Sequence, residues 1–142
     1  MSFRVQFNVN SFQMAKSGAI WGDVWIDVNF VPFPEEGWND MAVAFMAELL
    51  EATYSLQRSK NDNRRVHFFD GPFWVDLNME SAGKVSVTTG GGHQNLSSTI
   101  EPDQMMLDLK TSAKKIVGVC NQHGWADQGD VRRLASLCGL AG

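Results

Sequence analysis

The chain has 142 residues, a hydrophobic fraction of 44% and a formal net charge of −4. That length fits one domain spanning 1–142, since two would each fall near the lower limit for a self-sufficient core, and five Trp, nine Phe and one Tyr supply too much apolar surface for disorder. Sixteen acidic residues against twelve basic ones, with no basic run longer than two, exclude nucleic acid as the main partner.

Phe3, Val5, Phe7 and Val9 alternate with Arg4, Gln6 and Asn8, the period of a half-buried strand. Ser11 to Gly18 is polar and reads as a turn. A second strand is expected from Ile20 to Val31, with Val24, Ile26, Val28 and Phe30 on one face and Asp23, Trp25, Asp27 and Asn29 on the other. Pro32 and Pro34 end it, because proline donates nothing to a ladder. A helix follows over Asn39–Arg58, with Asn39 or Asp40 as its N-cap and Met41, Phe45, Leu49 and Leu56 along its apolar stripe. Residues 59–64 form a polar loop.

Arg65–Phe69 and Phe73–Met79 make a hairpin about Asp70-Gly71-Pro72, and Lys84–Thr89 adds a third strand to the meander. Gly90-Gly91-Gly92-His93 through Ser98 reads as a linker. Pro102 opens a helix that stops at Gly124, carrying Met106, Leu109, Ala113, Ile116, Val117 and Cys120 on one side. A last helix spans Asp127–Cys138. The order ββαβββαα, without crossover spacing, predicts an α+β domain with a five-stranded antiparallel sheet and helices on one face. No apolar run approaches the ~20 residues that cross a bilayer, and the strand-like start lacks a secretory leader's apolar stretch. The expected setting is therefore cytoplasmic, with no membrane partner and with Cys120 and Cys138 reduced.

Two strands share one pattern. Trp25, Asp27 and Asn29 alternate with aliphatics, as do Trp74, Asp76 and Asn78. Alternation puts each polar triplet on the face away from the helices, where indole beside carboxylate suits the anchor and steering charge of a protein-binding surface. These six residues are the candidate partner contacts. The plainer reading is that alternation alone makes the likeness and the rings cover a loop or the sheet's own back.

Catalytic and metal chemistry is weaker. Gly90-Gly91-Gly92-His93 lacks the Lys and Ser/Thr of a phosphate loop. Cys120, His123 and Cys138 fall one ligand short of a zinc site, and no motif marks a Cys–His nucleophile. Asp27 and Asp76 would be paired carboxylates for acid–base work if their strands were neighbours, and with His67 or His93 they give a small enzyme as one rival reading. A self-associating structural or adaptor subunit is the other. No cofactor is implied.

The segment from Trp38-Asn39-Asp40 through the helix to Phe68-Phe69-Asp70-Gly71-Pro72-Phe73 resembles small bacterial immunity proteins of contact-dependent inhibition and related polymorphic toxin systems. The shared features are Trp-x-Asp at the helix start, an amphipathic helix, and a hairpin turning on Phe-x-Asp-Gly-Pro-aromatic. The resemblance implies a cytoplasmic, non-enzymatic inhibitor of one cognate toxin, and no binding residue is carried over with it. An acidic surface suits capture of a basic toxin.

Overall fold

In the computed structural model, which describes residues 1–58 and 62–140, β1 (Phe3–Met14) and β2 (Ile20–Val28) form an antiparallel ladder with Phe3 opposite Val28 and Phe7 opposite Val24. The expected turn at Ser11–Gly18 begins later, because β1 continues to Met14 through a shift of register between Asn8 and Gln13. Within that bulge Phe12 turns inward and its ring lies on Gly22, where a Cβ would sit 2.3 Å from it. Bulges of this kind re-aim side chains without ending the strand.

The second strand is shorter than its pattern predicts. Asn29 and Phe30 have φ of 51° and 69°, the left-handed pair of a two-residue hairpin turn, and the chain returns as β3 (Val31–Phe33) with Phe33 opposite Ile26. Phe30, expected inside, is 84% exposed at the hairpin tip. Turn geometry, which a period-2 count does not register, takes both residues out of the alternation.

After the Glu35–Trp38 turn, β4 (Asn39–Asp40) pairs with β2, and α1 (Ala42–Arg58) begins three residues later than expected. Its apolar stripe is wider than a surface helix needs. Every residue from Ala42 to Ala47 is buried, and α1 meets β2 on one side, β5 (Asn63–His67) and β6 (Trp74–Met79) on another, and both later helices. Four alanines let these neighbours approach closely. The expected loop at 59–64 falls partly on residues 59–61, outside the described residues; Asn63 and Arg64 belong to β5.

β5, β6, β7 (Val85–Gly90) and β8 (Ser97–Ile100) form a second antiparallel sheet in that order. The α+β class and antiparallel pairing therefore hold, whereas the single five-stranded sheet is replaced by two four-stranded ones. The strands missing from the sequence reading are β3, β4 and β8, of two to four residues each, too short to display a period. The supposed linker after Gly90 is a loop closing onto β8: Leu96 N–H donates to Thr89 Oγ1 at 2.9 Å and Thr89 N–H to Leu96 O at 3.0 Å.

α2 (Pro102–Gln122) packs against β1, and α3 (Gly129–Leu137) packs on α1, where Tyr54 Oη donates to Leu137 O at 2.7 Å. Gly124, at φ 80°, turns the chain after α2 as its position predicts. Cys120 and Cys138 are free and buried. Burial pushes the Cys120 thiol up to about 11 and raises Cys138 as well.

Two outcomes are expected from these thiols. Iodoacetamide at about pH 8 should label both only after unfolding. The folded state also holds the Cys120 proton more tightly than the unfolded chain, so its contribution is full below the unfolded pKa and is lost as pH rises through about 11. Urea titration at about pH 10 should give a stability about 1 kcal/mol below that at pH 8. A constant urea midpoint across that range contradicts this.

Candidate functional site

The alternation on β2 builds one surface. Val24, Ile26 and Val28 are at most 1% exposed and face α1, while Trp21, Asp23, Trp25 and Asp27 are half-buried on the opposite side. Across the ladder stand Gln6 beside Trp25, Arg4 beside Asp27 and Asn8 beside Asp23. Gln6 Nε2 donates to Asp27 Oδ2 at 2.9 Å, which orients the carboxylate. On the far side Pro32 is opposite Asp27 and Asn39 opposite Asp23. Among the described residues the helix that packs on β2 is α1, on the side opposite this row of indoles and carboxylates.

Trp21 and Asp23 were not among the sequence candidates, yet they continue the same alternation toward the N-terminal end of β2. Gly22, between them, breaks the apolar half of the pattern and hides the repeat.

Trp74 and Asp76 occupy the corresponding outer face of β6, but on the other sheet. They are already engaged. Arg65, directly opposite Asp76, donates Nε to Oδ1 at 2.7 Å and Nη2 to Oδ2 at 2.9 Å, and its guanidinium carbon lies 3.8 Å from the Trp74 ring centroid. The carboxylate holds the Arg65 guanidinium above its ordinary pKa, chiefly through those hydrogen bonds. The Trp74 indole lies over Gly90, its neighbour on β7, where a Cβ would come within 2.0 Å of the ring. Asn78 is exposed between Asn63 and Ser86.

Asn29 is on neither face. From the hairpin turn its Nδ2 donates to Ser97 O at 3.0 Å, and its Oδ1 accepts from Ser98 Oγ and from Ser2 N, both at 2.9 Å. It ties the first sheet to β8 of the second. The six candidates thus divide into a solvent-facing pair on β2, an internally satisfied pair on β6 with Asn78 beside it, and a clamp between sheets. Asp27 and Asp76 lie on different sheets and not on neighbouring strands.

Other candidates are placed as well. His67 is exposed on the side of Arg65, and His123 stacks on Trp125 at 4.3 Å. Arg133 is held by Glu48 and Glu51 of α1. Among the described residues no group of three or more His, Cys, Asp or Glu is gathered to hold a metal ion, and no helix is long and apolar enough to cross a membrane.

The motif carrying the family resemblance has a definite structural meaning. Asp40 is fully buried, and its carboxylate accepts four N–H groups: the Trp38 indole at 3.0 Å, Met41 at 2.7 Å, and Phe69 and Asp70 at 3.2 Å each. Trp-x-Asp and Phe-x-Asp-Gly-Pro are therefore two halves of one joint, placed where the N-terminus of α1 also favours negative charge.

Beside this joint lies an aromatic cleft of about 660 Å³ between β3, the β5–β6 turn and the β7–β8 loop. It was invisible in the sequence, because its walls come from segments far apart in the chain. No protein-family model, curated protein or solved structure matches the chain, so the functional reading rests on these side chains.

Proposed function

We propose that the chain is a non-enzymatic immunity protein that binds a cognate bacterial toxin and covers its active surface, acting in the cytoplasm. The observation that carries the reading is the uncovered outer face of β2, where two indoles alternate with two carboxylates on a strand whose other side is locked into the core. A rigid strand presents such anchors at little entropic cost, since their backbone is already ordered. Partly exposed Trp supplies apolar area for a partner's pockets; Asp23 and Asp27 steer and pair with Lys or Arg. The net charge of −4 favours a basic partner.

The expected partner is a toxin domain encoded beside this chain's gene. Co-expression should rescue growth, and calorimetry should give a one-to-one complex. Trp25→Ala and Asp27→Lys should each weaken that complex by about 30-fold or more, the loss typical of a central anchor, with little change in melting temperature. Asn78→Ala should change it little. A complex whose affinity ignores Trp25 and Asp27 rejects this surface; failure of the toxin to bind at all rejects the function.

A further inference from the structure

We infer that the cleft beside β3 is a binding site in its own right, for an extended protein segment that carries an apolar residue next to arginine or lysine. The inference stands on the cleft's lining and does not depend on the toxin reading. Phe33, 1% exposed, is the floor. Phe73 stands edge-on to it at 5.7 Å and 89°, and Trp38 stands edge-on to Phe73 at 5.1 Å and 83°. Trp38 and Phe73 are only half-buried, so ring surface remains open to the cleft. The Trp38 indole N–H is taken by Asp40, which fixes that ring in place.

Three features select the ligand. Pro32, Pro34 and Pro72 line the walls and offer no N–H, so an added β-strand would find no ladder, whereas a segment held by its side chains meets no such obstacle. Glu35 and Glu36 are exposed at the rim, and neither is in an ion pair among the described residues. Among the described residues no Lys or Arg lines the cleft. His93 is the one basic side chain in the lining, and the two carboxylates outnumber it. Aromatic faces with carboxylates complement a basic side chain, whose apolar stem covers the rings while its head reaches the rim. The volume lies within the ~300–1,000 Å³ range of formed ligand pockets, enough for more than one side chain.

The test is a titration of the ¹⁵N-labelled full chain with the blocked tetrapeptide Leu-Pro-Arg-Arg, against Leu-Pro-Glu-Glu as control. Saturable shifts are expected at the Trp38 indole N–H and the Gly91 and Gly92 amides, with Kd below about 1 mM. The glutamate peptide should leave these signals unmoved. The exposed-residue double variant Glu35→Gln/Glu36→Gln should weaken the arginine peptide about fivefold. Absence of saturable shifts at about ten times that concentration overturns the proposal. Equal binding of the two peptides, or an unchanged Kd in the double variant, overturns its charge selection.

Discussion

Replacing Asp40 with alanine is expected to cost about 3–5 kcal/mol, the largest loss of any exchange of one side chain outside the apolar core. The carboxylate accepts from an indole and three backbone amides inside a fully buried site. Alanine leaves all four donors unsatisfied. Urea unfolding followed by circular dichroism measures the loss, and a fall in Tm of about 10–15 °C should accompany it. Asp40→Asn is the informative control. Its amide oxygen can serve the Met41 and Phe69 donors held by Oδ1, but its NH₂ would then face the Trp38 and Asp70 donors held by Oδ2. An intermediate loss is expected. A loss under about 1 kcal/mol for the alanine variant would show that the joint is not a structural hub.

The second large effect is expected at Gly91. Its φ of 87° lies where side-chain-bearing residues are strained, and an added Cβ would sit 2.0 Å from the Pro72 carbonyl oxygen and 2.7 Å from its carbon. Both obstacles are backbone, so neither can swing away. Gly91→Ala should destabilise by about 2–4 kcal/mol and disturb the β5–β6 turn. Gly92→Ala makes the contrast. Its Cβ would meet the Phe73 ring at 2.8 Å, a side chain with room to shift toward the cleft. That variant should retain most of its stability while losing cleft volume. Equal melting temperatures for the Gly91 variant and the parent chain would contradict the close approach.

What the sequence discloses here depends on the length over which a pattern runs. α1 and α2 carry several helical turns of apolar periodicity, and β2 carries four alternations, so all three are legible. Val31–Phe33, Asn39–Asp40 and Ser97–Ile100 are strands only because a partner strand is already there, and no local pattern announces them. The Trp-Asp-Asn likeness of β2 and β6 is real as a face preference, since Trp25, Asp27, Trp74 and Asp76 all point away from the helices. It says nothing about cross-strand neighbours. Gln6 gives Asp27 one neutral hydrogen bond, whereas Arg65 closes Asp76 and roofs Trp74, and that difference depends on register. Asn29 was misplaced for a related reason: an Asn-Phe pair in left-handed turn geometry is unusual, and a count of alternation passes straight through it.

The Asn29 clamp also closes a route to aggregation. β8 ends the second sheet, and terminal strands recruit other chains through open carbonyl and amide groups. Here the Ser97 carbonyl is occupied by the side chain of a hairpin tip from the same molecule. One carbonyl of that edge is thereby withheld from any incoming strand.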